Sequence, residues 1–289
     1  MNELRRLQMT LFEILNVIDA FCKEHQIQYS LYAGTLLGAA RHKGFIPWDD
    51  DLDICMERSE YNRFIAAWNK SPVPGYLLQN KDNSPNFTQS FTKIRKLHTT
   101  FLQYEWEAGA YHTGIFIDVF PLDRFPEGFI KQKRFFADSL CYQLFCREFV
   151  PPKGSVLQRV VAKMLLKAVR GERRITAREN LLALITKEHN RNLPVVAIET
   201  LGSLHARYPA ALLESYTELP FEGSSFPCFS LWDQYLKIKF GNYMLLPPET
   251  ERAWKHHPII LNFEHEYDEI VKKQSINGTF EKAAVRGKP

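Results

Sequence analysis

The stretch Tyr29–Met56 reads YSLYAGTLLGAARHKGFIPWDDDLDICM, and it contains the strongest signals in the sequence for the fold and for a functional site. At its centre is the run Asp49–Asp53, in which only Leu52 interrupts the carboxylates. Carboxylates this close repel one another, so a folded protein keeps them together mainly where a cation neutralises them. An extended backbone would turn Asp51 and Asp53 to one face and the apolar residues between them to the other. The pattern predicts paired oxygen ligands for a metal on a strand whose other face joins the core.

Two other interpretations of the acidic run stay open from the residues alone. A short acidic run is usually a solvated loop, because acidic side chains are mostly exposed; here apolar residues flank the run on both sides. Asp49, Asp51, Asp53 and Glu60 also match the ligand spacing of a calcium-binding EF-hand loop. That loop needs a glycine for its sharp turn, and Ile54 occupies the position.

The segment upstream of the acids predicts a site for a phosphate. Ile27–Tyr32 alternates apolar and polar residues as a strand does, and Gly34–His42 is typical of a short helix. The first turn of a helix presents unpaired N–H groups and a partial positive charge. Gly34 would let a phosphate approach the backbone, and Thr35 would add a hydroxyl donor. A Gly-Thr pair alone is more often a plain helix cap; followed by the acidic run, it predicts a phosphate site beside a metal site.

A third carboxylate comes from a later strand. Gly114–Phe120 is apolar except for Asp118. A lone carboxylate among apolar side chains is costly to bury unless it is paired or ligated. Asp118 is therefore the third candidate ligand, and a salt-bridged core aspartate is the alternative. Asp123, which follows Pro121, is predicted to lie in a turn or to cap a helix.

Two further pairs of residues are candidates for binding phosphates. Alternation along Phe91–Leu97 places Lys93 and Arg95 on one face, where they predict a basic ridge at the mouth of the site; exposed charges on an edge strand are the alternative. Arg252 and His256 are predicted to stand one turn apart on a helix that follows a Pro-Pro stop. They would meet the phosphates or the acceptor, or they are plain surface residues.

Composition indicates an ordinary folded protein of 289 residues with 45% hydrophobic and 24% charged residues. No apolar run is long enough to span a bilayer, and the charged start MNELRRLQMT argues against a signal peptide. We therefore expect a cytoplasmic protein. Five cysteines without a CxxC pair argue against a disulfide framework and against a structural zinc site.

Basic charge is segregated between Gly128 and Arg191, where fourteen Lys or Arg face five Asp or Glu. Within this segment the apolar residues of 157–168 recur at helical spacing and basic residues fill the remaining surface, which predicts an amphipathic basic helix. Such a helix, within 153–174, could touch the inner face of an anionic membrane; a packed helix with a solvated charged face is the ordinary alternative. The segment lacks a nucleic-acid-binding motif, so nucleic acid is not an expected partner.

Three ordered blocks of the chain resemble the LicD family of phosphotransferases, which includes bacterial phosphorylcholine transferases and fukutin-related enzymes and shares the nucleotidyltransferase superfold. The first is GTLLGAARHKGFIPWDDDLD at 34–53 and the second is GIFIDVFPLD at 114–123. The third is KFGNYMLLPPE at 239–249, with Arg252 and His256 after it.

The resemblance implies an α+β (mixed α/β) fold. Its nucleotidyltransferase-like catalytic core, a mixed sheet flanked by helices, would span about residues 1–125. A mostly helical part over 126–289 would form the acceptor side, and its terminal block at about 226–258 would return to the active site.

The resemblance also implies the site. Asp51, Asp53 and Asp118 would hold one or two Mg²⁺ or Mn²⁺ ions, and Asp49 would act as a base or bind a cationic head group. The expected substrate-binding residues are Gly34, Thr35, Arg41, His42, Lys93, Arg95, Arg252 and His256.

The implied reaction moves a substituted phosphoryl group, phosphocholine or a polyol phosphate, from a CDP-linked donor to a hydroxyl of a surface glycan or its lipid-linked precursor, with release of CMP. Two alternatives remain. One is a glycosyltransferase whose DxD pair holds a metal and a nucleotide sugar, although in that class the apolar strand usually precedes the acids. The other is a non-catalytic protein that binds a membrane or a polyanion, and intact repelling acids speak against it.

Overall fold

The structure is a computed structural model that describes residues 1–152, 154–187, 190–198 and 207–276. This part of the chain contains eight α-helices and ten strands. The helices are α1 (Glu3–Glu24), α2 (Ala33–His42), α3 (Arg58–Lys70), α4 (Phe129–Arg147), α5 (Val156–Ala168), α6 (Glu172–Ile185), α7 (Trp232–Phe240) and α8 (Tyr267–Ile276). The strands are β1 (Ser30–Leu31), β2 (Asp53–Glu57), β3 (Tyr76–Gln79), β4 (Thr92–Lys96), β5 (Thr100–Leu102), β6 (Phe116–Arg124), β7 (Val195–Ala197), β8 (Tyr216–Phe221), β9 (Ser224–Phe229) and β10 (Ile260–Asn262).

A six-stranded sheet organises the fold in the order β1-β2-β6-β4-β3, and β7 pairs with the far end of β6. Only β2 and β6 run parallel within it; the other pairings are antiparallel. β5 pairs with β10, and β8 and β9 form a hairpin. The sheet is therefore mixed and flanked by helices, which confirms the predicted α+β class.

The main core lies where α1, α2 and α3 cover this sheet. Helix α1 buries one face, which includes Leu7, Ile14 and Ile18, and Asn2 caps its first turn through a bond from the Arg5 N–H (2.8 Å). The apolar centre of β2 and the alternating apolar residues of β6 meet that face. Residues from α7 and the β8–β9 hairpin belong to the same core. The proposed division at residue 125 stays a prediction, and the later part contributes strands as well as helices.

A smaller core forms beneath α4 and α6, and it leaves α5 largely uncovered. Ala162 of α5 is buried, but Leu157 is 73% and Met164 65% exposed. Most of the apolar face predicted for this helix therefore points outward, and the helix packs against α4 through Ala162, Leu165 and Leu166. The described helices include none long and apolar enough to cross a bilayer. Lys153, the start of the segment predicted to touch a membrane, lies outside the described residues.

Several local predictions were wrong, each because long-range pairing overrode a local signal. The Gly, Ser and Pro residues between Phe221 and Cys228, whose composition predicts a loop from the sequence, form the turn and second strand of a hairpin. Asp123 lies within β6, because the strand continues through Pro121. The helix predicted for Arg252 and His256 is absent from the described chain, which has only a short 3-10 turn at Glu249–Glu251 there. Glu60 binds the Gln28 N–H and Arg63, away from the acidic run, so the EF-hand interpretation is also wrong.

Candidate active site

The parallel pairing of β2 and β6 brings two of the predicted acids together. Asp53 and Asp118 are partners in the register of this pair, and the Asp118 N–H donates to the Leu52 carbonyl oxygen (3.1 Å). Parallel partners project their side chains to the same face of a sheet. Two carboxylates far apart in the chain therefore lie side by side at the start of adjacent strands.

Helix α2 fixes where β2 begins. Thr35 Oγ1 accepts a hydrogen bond from the Asp53 N–H (2.8 Å), and the Tyr32 N–H donates to the Asp53 carbonyl oxygen (3.0 Å). Thr35 is buried. Its oxygen thus positions the acidic strand, and only its hydroxyl proton remains for the phosphate role predicted from the sequence.

The glycine at the start of α2 has a close neighbour. A Cβ built on Gly34 would lie 2.8 Å from Asp49 Oδ2, so a larger residue would collide with that carboxylate. Asp49 itself is 4% exposed, and its backbone oxygen accepts a bond from Gln8 Nε2 (2.9 Å). Burial and, next, the charge of Asp51 raise the pKa of Asp49 to about 7. Gly34 therefore makes room for Asp49, whichever ligand lies beyond it.

The site includes one acid that the sequence prediction left out. Asp50 is 2% exposed and forms two hydrogen bonds with His256. The backbone N–H of His256 donates to Asp50 Oδ2 (2.8 Å), and His256 Nδ1 lies 3.1 Å from Asp50 Oδ1. The hydrogen bond to Asp50 raises the pKa of His256. Burial pushes the pKa of Asp50 upward, but the bonds from His256 outweigh it and the net pKa is lowered. His256 thus meets the acidic run directly.

Negative charge is in surplus at this point of the sheet. Burial, followed by the charges of Asp51, Asp118 and Asp49, raises the pKa of Asp53 well above its usual value. Burial also raises the pKa of Asp51 against the opposing effect of His256. Lys93 Nζ forms an ion pair with Asp118 (2.6 Å), and burial lowers the pKa of this lysine. Lys93, Lys239, Lys255 and His256 act on these five aspartates. The carboxylates still outnumber the cations, which is an environment suited to a divalent cation.

Two overlapping sets of side chains could hold that cation. Within the described chain, Asp50, Asp51 and His256 offer ligand atoms that lie within 4.8 Å of one another. The sequence predicted Asp51, Asp53 and Asp118 instead. Asp51 belongs to both sets, and its Oδ2 lies 3.7 Å from His256 Nδ1. Carboxylate and imidazole ligands suit Mn²⁺ or Mg²⁺ when water completes the coordination.

The first turn of α2 lies beside these acids and is supported by α7. The Ala33 N–H donates to the Tyr235 hydroxyl (3.2 Å), whereas the described residues supply no partner for the N–H groups of Gly34 and Thr35. Lys239, also on α7, places Nζ 4.9 Å from the centre of the Tyr32 ring. Burial lowers the pKa of Lys239, and the charge of Asp53 opposes that effect. This lysine was not among the predicted site residues.

The remaining predicted binding residues have partners within the protein. Arg41 donates to the carbonyl oxygens of Tyr243 (2.8 Å) and Leu245 (3.3 Å), and to His42 Nε2 (2.9 Å). It therefore ties the end of α2 to the terminal block. Arg252 lies over the Trp48 ring (5.5 Å) and is close enough to lower the pKa of Arg41, after the larger effect of burial.

Arg95 occupies a different position from the one predicted. It is 3% exposed, and its guanidinium donates to Gln79 Oε1 and to the Gly114 carbonyl oxygen (2.7 Å). It lies inside the sheet rather than at the mouth of the cleft, because the protein supplies acceptors for it there.

A cavity of about 260 Å³ opens from the acids. Asp50, Asp51, Asp118, His256 and Lys93 line one end of it. Aromatic side chains and Glu107 also line it. Tyr111, which donates to Glu107, lies beside Arg95, two residues along β4 from the Lys93–Asp118 pair, so these residues form the other end. The cleft therefore offers a charged end that suits a metal and phosphates, and an aromatic end that suits an organic group.

Comparison with known proteins agrees with this arrangement. Residues 26–157 match the family model for the LicD/FKTN/FKRP nucleotidyltransferase domain. The chain carries a LicD-family domain. It is 27% identical to the lipopolysaccharide cholinephosphotransferase LicD of Haemophilus influenzae, over 88% of this chain and 96% of that protein. An uncharacterized protein of Rickettsia typhi is 44% identical over 25% of this chain and 23% of its own length. The predicted resemblance is confirmed.

The LicD-family domain contains the acids but not every residue that meets them. Asp50, Asp51, Asp53 and Asp118 fall within residues 26–157. His256 comes from the terminal block, about a hundred residues after the domain ends, and reaches the cleft without a helix to carry it. The middle carboxylate of the triple Asp run, Asp50, could have been suspected from its position, but its pairing with His256 has no local signal.

Proposed function

We propose that this protein transfers a substituted phosphoryl group from a CDP-linked alcohol to a hydroxyl group of a surface glycan or its lipid-linked precursor. The acceptor oxygen would form a bond to the phosphorus that carries the head group. The bond from that phosphorus to the oxygen of the CMP part would break, CMP would leave with the bonding electrons, and the acceptor would give up its proton. Phosphocholine is the head group that the similarity to a cholinephosphotransferase favours.

One observation carries this proposal: Asp50 and Asp51, just before β2, line a single cavity together with Asp118 of β6 and His256 of the terminal block, and the first turn of α2 lies beside Asp53. Phosphoryl transfer depends mainly on positioning and on neutralising charge around the phosphate oxygens, and such an arrangement is built for both. The LicD-family domain supports the same reaction class.

A divalent cation fits this site because the carboxylates outnumber the cations around them and burial raises the pKa of Asp51 and Asp53. Asp51 would hold it, together with Asp53 and Asp118 or with Asp50 and His256. When bound, a divalent ion neutralises phosphate charge and stabilises the leaving group. Lys93 and Lys239 would add positive charge for the donor phosphates, and the N–H groups of Gly34 and Thr35 would donate hydrogen bonds to a phosphate oxygen.

Where Asp51, Asp53 and Asp118 hold the cation, His256 can act as the base for the acceptor proton, and it suits that role better than Asp49. It lines the cavity, and its Nδ1 bond to Asp50 leaves Nε2 to take a proton. Asp49 is 4% exposed and is not among the residues that line the cavity. We therefore propose that Asp49 shapes the loop against Gly34 and that it does not bind the cationic head group.

The test is turnover of CDP-choline by the purified protein with a lipopolysaccharide or a lipid-linked glycan as acceptor, with Mg²⁺ or Mn²⁺ present, followed by release of CMP. We expect Asp53→Asn to reduce turnover about 1,000-fold or more, since metal-assisted charge neutralisation is worth several kcal/mol. Asp268→Asn, which changes an exposed acid at the start of α8, is the matched control and should leave turnover unchanged.

The alternatives give different results in the same assay. Metal-dependent binding of a UDP-sugar but not of CDP-choline, measured by isothermal titration, would identify a glycosyltransferase. A protein that binds neither nucleotide would be a non-catalytic binding protein, and either outcome would refute the proposed transfer.

We further propose that the protein works at the inner face of a membrane, in the cytoplasm, with α5 as the contact. Val156, Leu157, Val160 and Met164 are exposed on this helix, next to Arg159 and Lys163. Apolar side chains interleaved with cations match the boundary between anionic head groups and acyl chains. The protein should sediment with anionic vesicles and not with neutral ones. The double variant Leu157→Ser, Met164→Ser should abolish sedimentation, and equal binding by both proteins would refute the contact.

A further inference from the structure

The end of the cavity away from the acids is formed by a short 3-10 turn, Glu105–Glu107, and by the residues around it. Tyr104, Trp106, Glu107 and Tyr111 all line this end. Neither the family match nor the proposed transfer assigns a task to any of them. They are therefore the part of the cleft whose chemistry remains to be explained.

Glu107 is a buried carboxylate held rigidly at this end. It is 8% exposed, and its Oε2 accepts bonds from the N–H groups of Gln103 (3.0 Å) and Tyr104 (3.2 Å). Its Oε1 accepts a bond from the Tyr111 hydroxyl (2.8 Å). Three donors hold the carboxylate in place. Burial lowers the pKa values of Lys93 and Arg95, and the charge of Glu107 acts on both against that effect; the Arg95 guanidinium lies 5.9 Å from the centre of the Tyr111 ring. Within the described chain, neither cation makes a direct ion pair with Glu107, so a ligand cation could still approach the carboxylate.

Aromatic rings surround this charge. Trp106 stacks on Tyr104, with ring centres 5.8 Å apart and planes 13° apart, and meets Tyr111 edge to face at 6.2 Å. Phe87 packs against Tyr111 at 5.6 Å and also lines the cavity. Ring faces attract a cation through their negative quadrupole, and they do so best when water is excluded. The rings and Glu107 together form a preorganised site for an organic cation.

We infer that this end of the cavity binds the quaternary ammonium group of the donor and thereby selects a choline-type head group over a neutral polyol. The inference rests on the proposed function for the identity of the donor. One cavity joins the acids to the rings, so a head group attached to a phosphate at the acidic end extends toward Glu107. We call Tyr104, Trp106, Glu107 and Tyr111 the aromatic site.

The chemistry of the aromatic site favours a quaternary ammonium over a polyol. A polyol needs a directed donor or acceptor for each hydroxyl group, since an unpaired buried hydroxyl is costly. Both oxygens of Glu107 already accept bonds within the protein, and ring faces offer none. A trimethylammonium group makes no hydrogen bonds and needs only a negative charge and apolar contact, which are what this end supplies.

The test measures the head group apart from the reaction. Choline is titrated into the full-length protein and followed by tryptophan fluorescence, with Trp106→Phe identifying the signal of this one indole. The comparison ligand is the neutral analogue of choline in which a tert-butyl group replaces trimethylammonium. We expect choline to bind at least about tenfold more tightly than the neutral analogue, because only the cation interacts with Glu107 and the ring faces.

Glu107→Gln tests the charge with little change in shape. It should weaken choline binding about tenfold and leave the affinity for the neutral analogue unchanged. Glu105→Gln, on the same turn but exposed, is the matched control and should behave as the wild type. Thermal unfolding of each variant verifies that the fold is kept. Equal affinity for choline in the wild type and Glu107→Gln would overturn the inference.

The design separates this inference from the proposed function. If choline binding follows Glu107 but CDP-choline is never turned over, the aromatic site stands and the transfer fails. The opposite outcome is turnover of CDP-choline together with an unchanged preference of Glu107→Gln for choline over the neutral analogue. In that case the transfer stands and the aromatic site fails.

Discussion

Both ends of the β2–β6 pair carry acidic residues, but only one end pairs each of them with a cation. Where the strands begin, Asp53 and Asp118 lie side by side with Asp51 nearby, and Lys93 is the one lysine paired with them among the described residues. Where they end, Asp123 receives two bonds from Arg58 (2.8 and 2.7 Å). Glu57 is likewise paired with Arg124. The far end is neutral overall, and the near end is strongly negative.

This difference separates a structural use of acids from a functional one. Asp123 is 1% exposed and fully paired, so its burial is compensated within the protein. Asp53 is held next to like charges that raise its pKa, which costs stability unless something outside the chain compensates it. A family resemblance identifies the site, but the charge balance along one strand pair locates it independently.

The largest expected effect comes from making the same substitution at both ends of β6. Asp123→Asn leaves the buried guanidinium of Arg58 without its counter-charge and should lower the free energy of unfolding by about 4 kcal/mol. Asp118→Asn, five residues earlier on the strand, should change it by less than about 1 kcal/mol, because the remaining acids still compensate Lys93. Urea unfolding of the metal-free proteins at neutral pH gives both values. If Asp118→Asn lowered the free energy of unfolding as much as Asp123→Asn does, the acids at both ends of β6 would be equally well compensated by cations.

Much of this architecture could be predicted from local pattern. The alternation of apolar and acidic residues located β2, and the single acid in an apolar run located Asp118 on a neighbouring strand. These signals succeed because burial of one face is imposed on each strand separately, whichever strand it pairs with.

What could not be predicted depends on partners far away in the chain. Asp123 was assigned to a turn because Pro121 usually ends a strand, and only Arg58 on α3 explains a buried acid there. His256 was assigned to a helix, whereas its position follows from Asp50, some two hundred residues earlier. The bond from the Asp53 N–H to Thr35 Oγ1 also has no local signal, and the hydroxyl proton of Thr35 stays a predicted donor to a phosphate. In each case the local sequence is compatible with several structures and the tertiary partner selects one.

A smaller effect should appear when the charge surplus is titrated. The pKa of Asp49 is raised to about 7, above its ordinary value near 3.8, so the folded protein holds a proton that the unfolded chain has lost. Stability linked to this group is present at low pH and is lost as the pH rises through about 7. Asp49→Asn, in EDTA, should therefore stabilise the protein increasingly between about pH 4 and 7, with a gain that levels off at about 4 kcal/mol above pH 7.

The balanced end provides the control for this titration. Asp123→Asn should destabilise the protein by a similar amount across the same pH range, because Arg58 stays charged throughout. Unfolding free energies of the three proteins at four pH values are sufficient. If the unfolding free energies of Asp49→Asn and the wild type differed by the same amount at every pH, Asp49 would be ionised in the folded state over the whole range. The proposed surplus of negative charge around Asp49 would then be absent.

The smallest effect decides which side chains hold the cation. A ligand that binds only the folded state stabilises it by mass action, so Mg²⁺ or Mn²⁺ at ten times its dissociation constant should add about 1.4 kcal/mol to the free energy of unfolding. Asp51→Asn should abolish this gain, since Asp51 belongs to both candidate ligand sets. His256→Gln should abolish it if the Asp50, Asp51 and His256 group binds the ion, and Asp118→Asn should do so if the predicted carboxylate trio does. Asp123→Asn is the control, and Na⁺ is used to match ionic strength. This variant should retain the full gain, because Asp123 is not a candidate ligand. If it lost the gain, the divalent cation would be screening charge in general rather than occupying a site.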